Sequence, residues 1–280
     1  MRALPLAALL LLGGALGACD GDSASPQQPS GPEAGGNGGP DAGPSLPVLP
    51  SERSRVLDYL RPSPYSRLEL ELDSVPGKAP RASSVSFIES ALDRVVDKPG
   101  GVQVVSDELE LAGKGASGVW TFAELSALAD QTFTQPQSGS TIRMHILFVD
   151  GQYENPDVLG IAWASQHLVL FKDVIQRHCS QDPVNLLGDQ VCIAAEQGVW
   201  LHEVGHLLGL VNNGLQMAQP HEDSDPTRRG HDANEQCVMY WAFEAAGGIQ
   251  LLANRLAGDS SAKLDFDAAC QADLAQGRGP

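Results

Sequence analysis

The chain has 280 residues, which is enough for one large domain or two small ones. Its formal net charge is −17, from 35 acidic and 18 basic side chains. Binding to nucleic acid requires clustered lysine and arginine, so this balance excludes that class of partner. The acidic excess is typical of a surface that keeps an extracytoplasmic protein in solution.

The first 18 residues have the pattern of a secretory signal. Met1-Arg2 precedes an apolar run over residues 4–16, which is too short to span a bilayer permanently. The segment Leu16-Gly17-Ala18-Cys19 resembles the lipobox of bacterial lipoproteins. That resemblance implies cleavage before Cys19, acylation of its thiol and a lipid anchor in the bacterial cell envelope, in a membrane leaflet that the sequence does not specify. The alternative is an ordinary signal peptide in which Cys19 is incidental.

Residues 19–50 are rich in Pro, Gly, Ser and Ala and carry few large apolar side chains. Such a segment buries too little apolar surface to offset the entropy lost on ordering, so it predicts a flexible tether. The rest, residues 51–280, is predicted to be one folded domain. No later stretch is apolar enough to cross a membrane, so any attachment would be through lipid.

The domain alternates between strand-like and helix-like patterns, which predicts an α+β (or α/β) body with a mixed twisted sheet. The predicted elements are, in order, a strand at Arg67–Asp73, a helix at Ser84–Val96 capped by Ser84 or Ser86, a strand at Val102–Val105, a helix at Thr121–Phe133 with a Thr121/Glu124 capping box, a strand at Thr141–Val149 and two short edge strands within Val158–Phe171. A helix from about Asp189 to Gly209 and a C-terminal helix at Glu244–Leu256 follow.

The domain contains four cysteines, an even number in a chain predicted to be exported to an oxidising compartment. Two disulfides are therefore expected. The pairing that closes the shortest loops is Cys179–Cys192 with Cys237–Cys270. The other two pairings stay open, because spacing does not determine connectivity.

The clearest chemical signal is the stretch His202-Glu203-Val204-Gly205-His206 in the predicted helix. His202 and His206 are four residues apart, so both imidazoles project from one face of a helix. Two imidazoles so placed can occupy adjacent corners of a tetrahedral zinc site. Glu203 is rotated by about 100 degrees from His202, which lets it act as the catalytic base without binding the metal. A chance match on an amphipathic helix is the alternative.

With Gly209 and the downstream segment Cys237-Val238-Met239-Tyr240, this helix resembles the metzincin clan of zinc peptidases. The clan's motif is HExxHxxGxx followed by His or Asp, with a methionine turn beneath the metal. The matching residues are His202, Glu203, His206, Gly209 and Met239. The order of strands and helices from about Leu68 to Met239 also fits that fold, so the resemblance covers most of the mature domain. It implies a metzincin-like fold, one catalytic Zn²⁺ ion, and a peptide substrate laid as an added strand along residues 162–169.

The third metal ligand departs from the usual form of that motif. Asn212 stands three residues after Gly209, and its amide is a poor zinc ligand compared with imidazole. His231 lies eight positions before Met239, a spacing that resembles the archaemetzincin branch of the clan. Asp232 stands where that branch has a cysteine, which argues against a second, cysteine-bound zinc. The sequence favours His231 as third ligand and leaves His221 as the alternative.

The other polar candidates are expected to be structural. His145, His167 and His178 lie far from the motif in sequence. The acidic insertion at residues 212–230 could hold a hard cation through Glu222, Asp223 and Asp225, but a solvated loop is the simpler interpretation.

The predicted function is therefore a zinc-dependent metalloendopeptidase that acts on peptide or protein substrates, with Glu203 as base and His202, His206 and His231 as ligands. The alternatives are an inactive zinc-containing lipoprotein that only binds peptides, and a hydrolase of a non-peptide amide or cell-wall fragment.

Overall fold

The structure is a computed structural model that describes residues 50–106, 109–181, 188–259, 262 and 264–279. The predicted signal segment, Cys19 and nearly all of the tether lie outside the described residues. Within the described ranges, no helix combines the length and the apolar character that a membrane span requires.

A six-stranded, mostly parallel sheet forms the centre of the described region. Its strands are β1 (Arg67–Ser74), β2 (Val102–Val105), β4 (Gln137–Ser138), β5 (Thr141–Val149), β7 (Gly160–Trp163) and β8 (His167–Phe171), and β3 (Val119–Trp120) pairs separately with β6 (Gln152–Tyr153). The order is β2-β1-β5-β8-β7, with β4 beside β5. Only β7 and β4 run antiparallel to their neighbours. The α+β class with a mixed sheet is thus confirmed.

Seven α-helices occur in the described chain, and they are α1 (Pro50–Leu60), α2 (Ala82–Val95), α3 (Phe122–Thr132), α4 (Lys172–Cys179), α5 (Asp189–Leu207), α6 (Ala246–Gly258) and α7 (Ala268–Arg278). Helix α5 contacts α2, α4, α6 and the strands β7 and β8. Most of its second half is buried, including Trp200, Leu201 and Val204. A helix enclosed in this way is positioned by packing on several sides, so its side chains have little freedom to move.

The strand predictions are confirmed, while the helix predictions need two corrections. The serine caps predicted for α2 are wrong, because the helix begins at Ala82 and leaves Ser84 buried in its first turn. Its start is instead tied to α5, since the Arg81 amide donates to Glu196 at 2.8 Å. The C-terminal helix is displaced by two residues to α6, and helices α1, α4 and α7 were not predicted. The Thr121/Glu124 capping box of α3 is confirmed.

One of the two predicted disulfides is present. Cys179 and Cys192 are bonded and join α4 to α5. Cys237 and Cys270 are adjacent but unbonded, with their sulfur atoms 3.6 Å apart. The pairing prediction is wrong at this position because each sulfur instead contacts polar groups, namely the Met239 amide at 3.4 Å for Cys237 and the Asp232 carboxylate at 3.6 Å for Cys270.

Candidate metal centre

Helix α5 places His202, Glu203 and His206 in its last two turns, as the sequence predicts. The helix ends directly afterwards, because Gly209 adopts a positive φ of 73° and its amide donates to the His206 carbonyl at 3.0 Å. Glycine takes this left-handed conformation without the strain that a Cβ would add. The chain can then turn back and bring later residues over the two imidazoles.

The structure brings His231, rather than His221, to this pair. The ring centroid of His231 lies 5.3 Å from that of His202 and 5.1 Å from that of His206, and the first two rings are 4.8 Å apart. His202 Nδ1 is 2.7 Å from the Val238 carbonyl and His231 Nδ1 is 3.3 Å from the Arg228 carbonyl. A carbonyl only accepts, so both Nδ1 atoms carry the proton and both Nε2 lone pairs are left to bind a metal.

His221 has a different environment. Its two ring nitrogens contact carboxylates, Nδ1 with Asp232 at 2.7 Å and Nε2 with Asp273 at 2.8 Å. Burial alone would lower the pKa of His221, but the two hydrogen bonds raise it overall. With both nitrogens engaged, His221 has no lone pair available for a metal, and it joins none of the side-chain groups around the α5 histidines.

The turn at Val238–Met239 supports the imidazoles from below. The Val238 carbonyl holds His202, and the Met239 carbonyl accepts the amide of Asp232, next to His231, at 2.8 Å. The Met239 side chain is fully buried against Gly205 of α5, where an added Cβ would lie 2.2 Å from Met239 Sδ. One turn therefore orients the ring of His202 and fixes the backbone next to His231, through contacts that residue spacing alone does not reveal.

A fourth group, Glu244, was not predicted. It ends a 3₁₀ turn at Trp241–Glu244, and only 3% of its surface is exposed. Its Oε1 lies 3.6 Å from His202 Nε2, 3.5 Å from His206 Nε2 and in contact with His231 Nε2. The sequence pattern assigned this residue to the start of a helix, and no motif marks an acid at that distance from the methionine turn. We call His202, His206, His231 and Glu244 the histidine–glutamate cluster.

Glu203 lies beside this cluster and is fully buried. Neither of its carboxylate oxygens has a hydrogen-bond partner. Burial, and then the negative charge of Glu244, raise the pKa of Glu203 well above its usual range. The first residue of β7 packs directly against it, because a Cβ on Gly160 would lie 2.6 Å from Glu203 Oε1. The carboxyl group is therefore held between the site helix and the edge strand of the sheet.

Buried polar atoms of the cluster lack hydrogen bonds, and a bound cation would satisfy them. His231 Nε2 and Glu244 Oε1 have no hydrogen bond of acceptable geometry, although they touch each other. His202 Nε2 and His206 Nε2 are 3.1 Å apart. Leaving buried polar groups unpaired costs about 1–3 kcal/mol each, so such groups usually have a partner such as an ion. The donor set of three imidazole nitrogens and a carboxylate suits Zn²⁺.

A second polar group contains Asp232, Cys237, Asp267 and Cys270. Its carboxylates already have protein partners, because Asp232 pairs with His221 and Asp267 caps α7 through the Ala269 and Cys270 amides at 2.9 and 3.0 Å. This hydrogen bonding gives the group a structural role.

The acidic insertion is used for local turns. Asp225 caps the short 3₁₀ helix Pro226–Arg228, and Arg228 lies 3.4 Å from Asp223. Glu222 accepts the Gly230 amide at 3.0 Å, next to His231. Asn212 has a positive φ of 64° and an exposed side chain, outside the histidine–glutamate cluster. The insertion therefore serves to return the chain to the site with His231 in place.

The chain was also compared with known proteins. No protein-family model matches the sequence, and no curated protein is significantly similar to it. Among solved structures, the archaemetzincin from Methanopyrus kandleri is similar over 76% of this chain and 96% of its own, with 19% sequence identity and a TM-score of 0.48.

Proposed function

We propose that this chain is a zinc-dependent peptidase. The observation that carries the proposal is the convergence of three imidazole Nε2 atoms, at least two of them oriented by backbone carbonyls, beside a buried glutamate without a hydrogen-bond partner. His202, His206 and His231 would hold the metal. A zinc ion there would act as a Lewis acid that polarises a carbonyl and lowers the pKa of water.

Glu203 would serve as the general base. Its buried carboxylate accepts a proton from the attacking water at one oxygen and delivers it to the leaving amine nitrogen. Val238 and Arg228 keep the Nδ1 protons of His202 and His231 in place, so neither imidazole competes for that proton. The low exposure of the site excludes bulk water, which strengthens each of these interactions.

The substrate would be an extended peptide. Among the described strands, β7 is at the end of the strand order and pairs with β8 alone, which would leave one edge of Gly160–Trp163 for an added strand. The strand begins at the residue that contacts Glu203. A peptide added there would bring a backbone carbonyl close to both the base and the imidazoles.

The test compares Glu203→Ala and Glu203→Gln with the wild type on a peptide library. Both variants should bind zinc with unchanged stoichiometry and lose about 10²–10⁴-fold in turnover, the range for a positioned acid–base group. Glu235→Gln, at an exposed site, is the matched control and should keep full activity. Full turnover in either Glu203 variant would refute the mechanism.

A second candidate function is a closed metal centre without turnover. The low exposure of the cluster favours this function, because His202 is fully buried and His206 is 9% exposed, which restricts access for a substrate. One zinc per chain, with no cleavage of any peptide by the wild type or by variants that open the site, would establish this role.

We also propose that the domain is exported and anchored through lipid on Cys19, with the tether of residues 19–50 holding it away from the membrane. The support is the sequence pattern alone. Cys19→Ser should abolish incorporation of a labelled fatty acid and release the protein from the membrane fraction. Unchanged labelling would contradict the anchor.

A further inference from the structure

Glu244 occupies a position that an open catalytic metal site would leave free. Its Oε1 faces the Nε2 atoms of His202 and His206 at 3.6 and 3.5 Å and also touches His231. Catalytic zinc sites keep one coordination position for water or substrate, whereas structural sites fill all four with protein groups. Three imidazoles and one carboxylate form a closed set.

The burial of Glu244 shows that the contact is built into the fold. The side chain is 4% exposed, and its Oε1 contacts the imidazole nitrogens without a hydrogen bond of acceptable geometry. A buried carboxylate is unfavourable unless a positive charge or hydrogen-bond donors pair with it. The three imidazoles are the groups that face it, so a cation shared with them is what would neutralise it.

The backbone of Glu244 is fixed, while the side chain retains its own torsions. Its carbonyl accepts the Leu159 amide at 2.9 Å, and the next residue, Ala245, forms a bridge with Val158. The carboxylate can therefore leave the cluster only by a change of rotamer, without unfolding of the turn. The anchoring residues Val158 and Leu159 directly precede β7, the strand along which we propose that the peptide binds.

We infer that Glu244 is a displaceable fourth metal ligand that keeps the centre latent, and that peptide binding must compete with this carboxylate for the metal. This inference rests on the proposed zinc-peptidase function. Beyond that function, the inference attributes the low accessibility of the metal centre to one side chain, that of Glu244. Displacement would break the bond between the metal and the carboxylate, and the incoming oxygen ligand would take its place without oxidation or reduction.

The test removes the carboxylate, once with the shape of the side chain kept and once without it. Glu244→Gln and Glu244→Ala are compared with the wild type and with Glu235→Gln, an exposed acidic control. Zinc affinity is measured by competition with a chromophoric chelator. The Co²⁺-substituted proteins are then titrated with acetohydroxamate, a small bidentate oxygen ligand, and followed by visible absorption.

Both Glu244 variants should bind zinc at least about tenfold more weakly, because the loss of a ligand costs no less than the 10- to 100-fold loss that follows removal of a supporting group. Their Co²⁺ forms should bind acetohydroxamate at least about tenfold more tightly than the wild type, because a position has opened. Equal hydroxamate binding in the wild type and the variants would overturn the inference, even if zinc affinity falls. A carboxylate that only neutralises the charge of the metal from nearby also raises zinc affinity, but it does not occupy a coordination position.

Peptide turnover separates this inference from the proposed function. Glu244→Ala should cleave a peptide library at least about tenfold faster than the wild type, and the double variant Glu203→Ala/Glu244→Ala should not cleave it. Hydroxamate binding without turnover in Glu244→Ala would confirm the latent ligand and refute the peptidase. Failure of the wild type to bind zinc would overturn both.

Discussion

Two buried groups of histidine and carboxylate side chains occur in this protein, and they differ in how their polar atoms are satisfied. In the sheet, His145 Nε2 donates to Asp73 at 2.9 Å, and His145 Nδ1 lies 3.2 Å from His167 Nδ1. His167 Nε2 in turn is 2.7 Å from the Gln166 amide. We call these four residues the sheet relay. Each ring nitrogen in it has a protein partner, and only Asp73 Oδ1 lacks a hydrogen bond.

The histidine–glutamate cluster has the opposite arrangement. Its Nε2 atoms converge on one carboxylate oxygen, and His231 Nε2 and Glu244 Oε1 have no hydrogen bond. The same residue types therefore have protein partners in one place and form the proposed metal centre in the other. The difference is whether neighbouring backbone and side chains provide partners for both ring nitrogens. Burial by itself does not distinguish the two cases.

The largest expected effect contrasts His231 with His221. His231→Ala should weaken zinc binding at least about 100-fold, because the loss of a ligand exceeds the 10- to 100-fold effect of losing its supporting group. His221→Ala should change zinc affinity by less than about tenfold, since its nitrogens already bind Asp232 and Asp273. Chelator competition measures both. Tight zinc binding in His231→Ala with loss in His221→Ala would reverse the assignment.

The second prediction concerns the pH dependence of stability. Burial, followed by the charge of His145, lowers the pKa of His167 from 6.5 to about 3. Between these two values the unfolded chain binds the proton and the folded chain does not, so stability falls as the pH is lowered from 6.5 to 3. The loss should be on the order of 2 kcal/mol after allowance for solvent screening.

Urea denaturation of the wild type and of His167→Phe at several pH values measures this effect. The ring of Trp163 stacks on His167, and the ring of Phe133 meets it edge-on. Phenylalanine keeps a flat ring between these two but does not titrate. The variant should therefore lose part of the acid-dependent destabilisation. An identical slope of unfolding free energy against pH in both proteins would show that the sheet relay does not exclude a proton.

The smallest expected effect tests the support beneath the metal centre. In Gly205→Ala the new methyl group would lie 2.2 Å from Met239 Sδ and 3.0 Å from Phe266, so the methionine must move. Overpacking of this kind destabilises by about 1–3 kcal/mol. Zinc affinity should fall as well, because the same turn holds His202 through Val238.

Gly198→Ala is the matched control in the same helix. Its methyl group would lie 2.4 Å from Leu264 Cδ1, a similarly close contact, but outside the histidine–glutamate cluster. Gly198→Ala should therefore lose a comparable amount of stability by thermal unfolding but keep unaltered zinc affinity by titration. If Gly205→Ala behaves like Gly198→Ala, the methionine does not support the imidazoles.

Much of the fold could be predicted because local patterns agree with the tertiary contacts. The alternation at residues 67–73 and the capping box of α3 depend on neighbouring residues, and both are confirmed. Helices α4 and α7 lack so clear a signal. Both helices are short and depend on packing for their stability. In addition, α4 is held by the Cys179–Cys192 disulfide, and α7 is capped by Asp267.

For the site, the sequence by itself determined the arrangement of His202, Glu203 and His206 on one helix, because helical geometry relates residues four apart. For the third metal ligand, the sequence left two candidates, His231 and His221, and favoured His231. Only the tertiary structure shows which of the two lies beside the pair, since the carboxylates of Asp232 and Asp273 engage His221 while the ring of His231 lies next to His206. The sequence also did not predict Glu244 at the site. A backbone hydrogen bond between Leu159 and Glu244, which are distant in the chain, brings the carboxylate to the imidazoles.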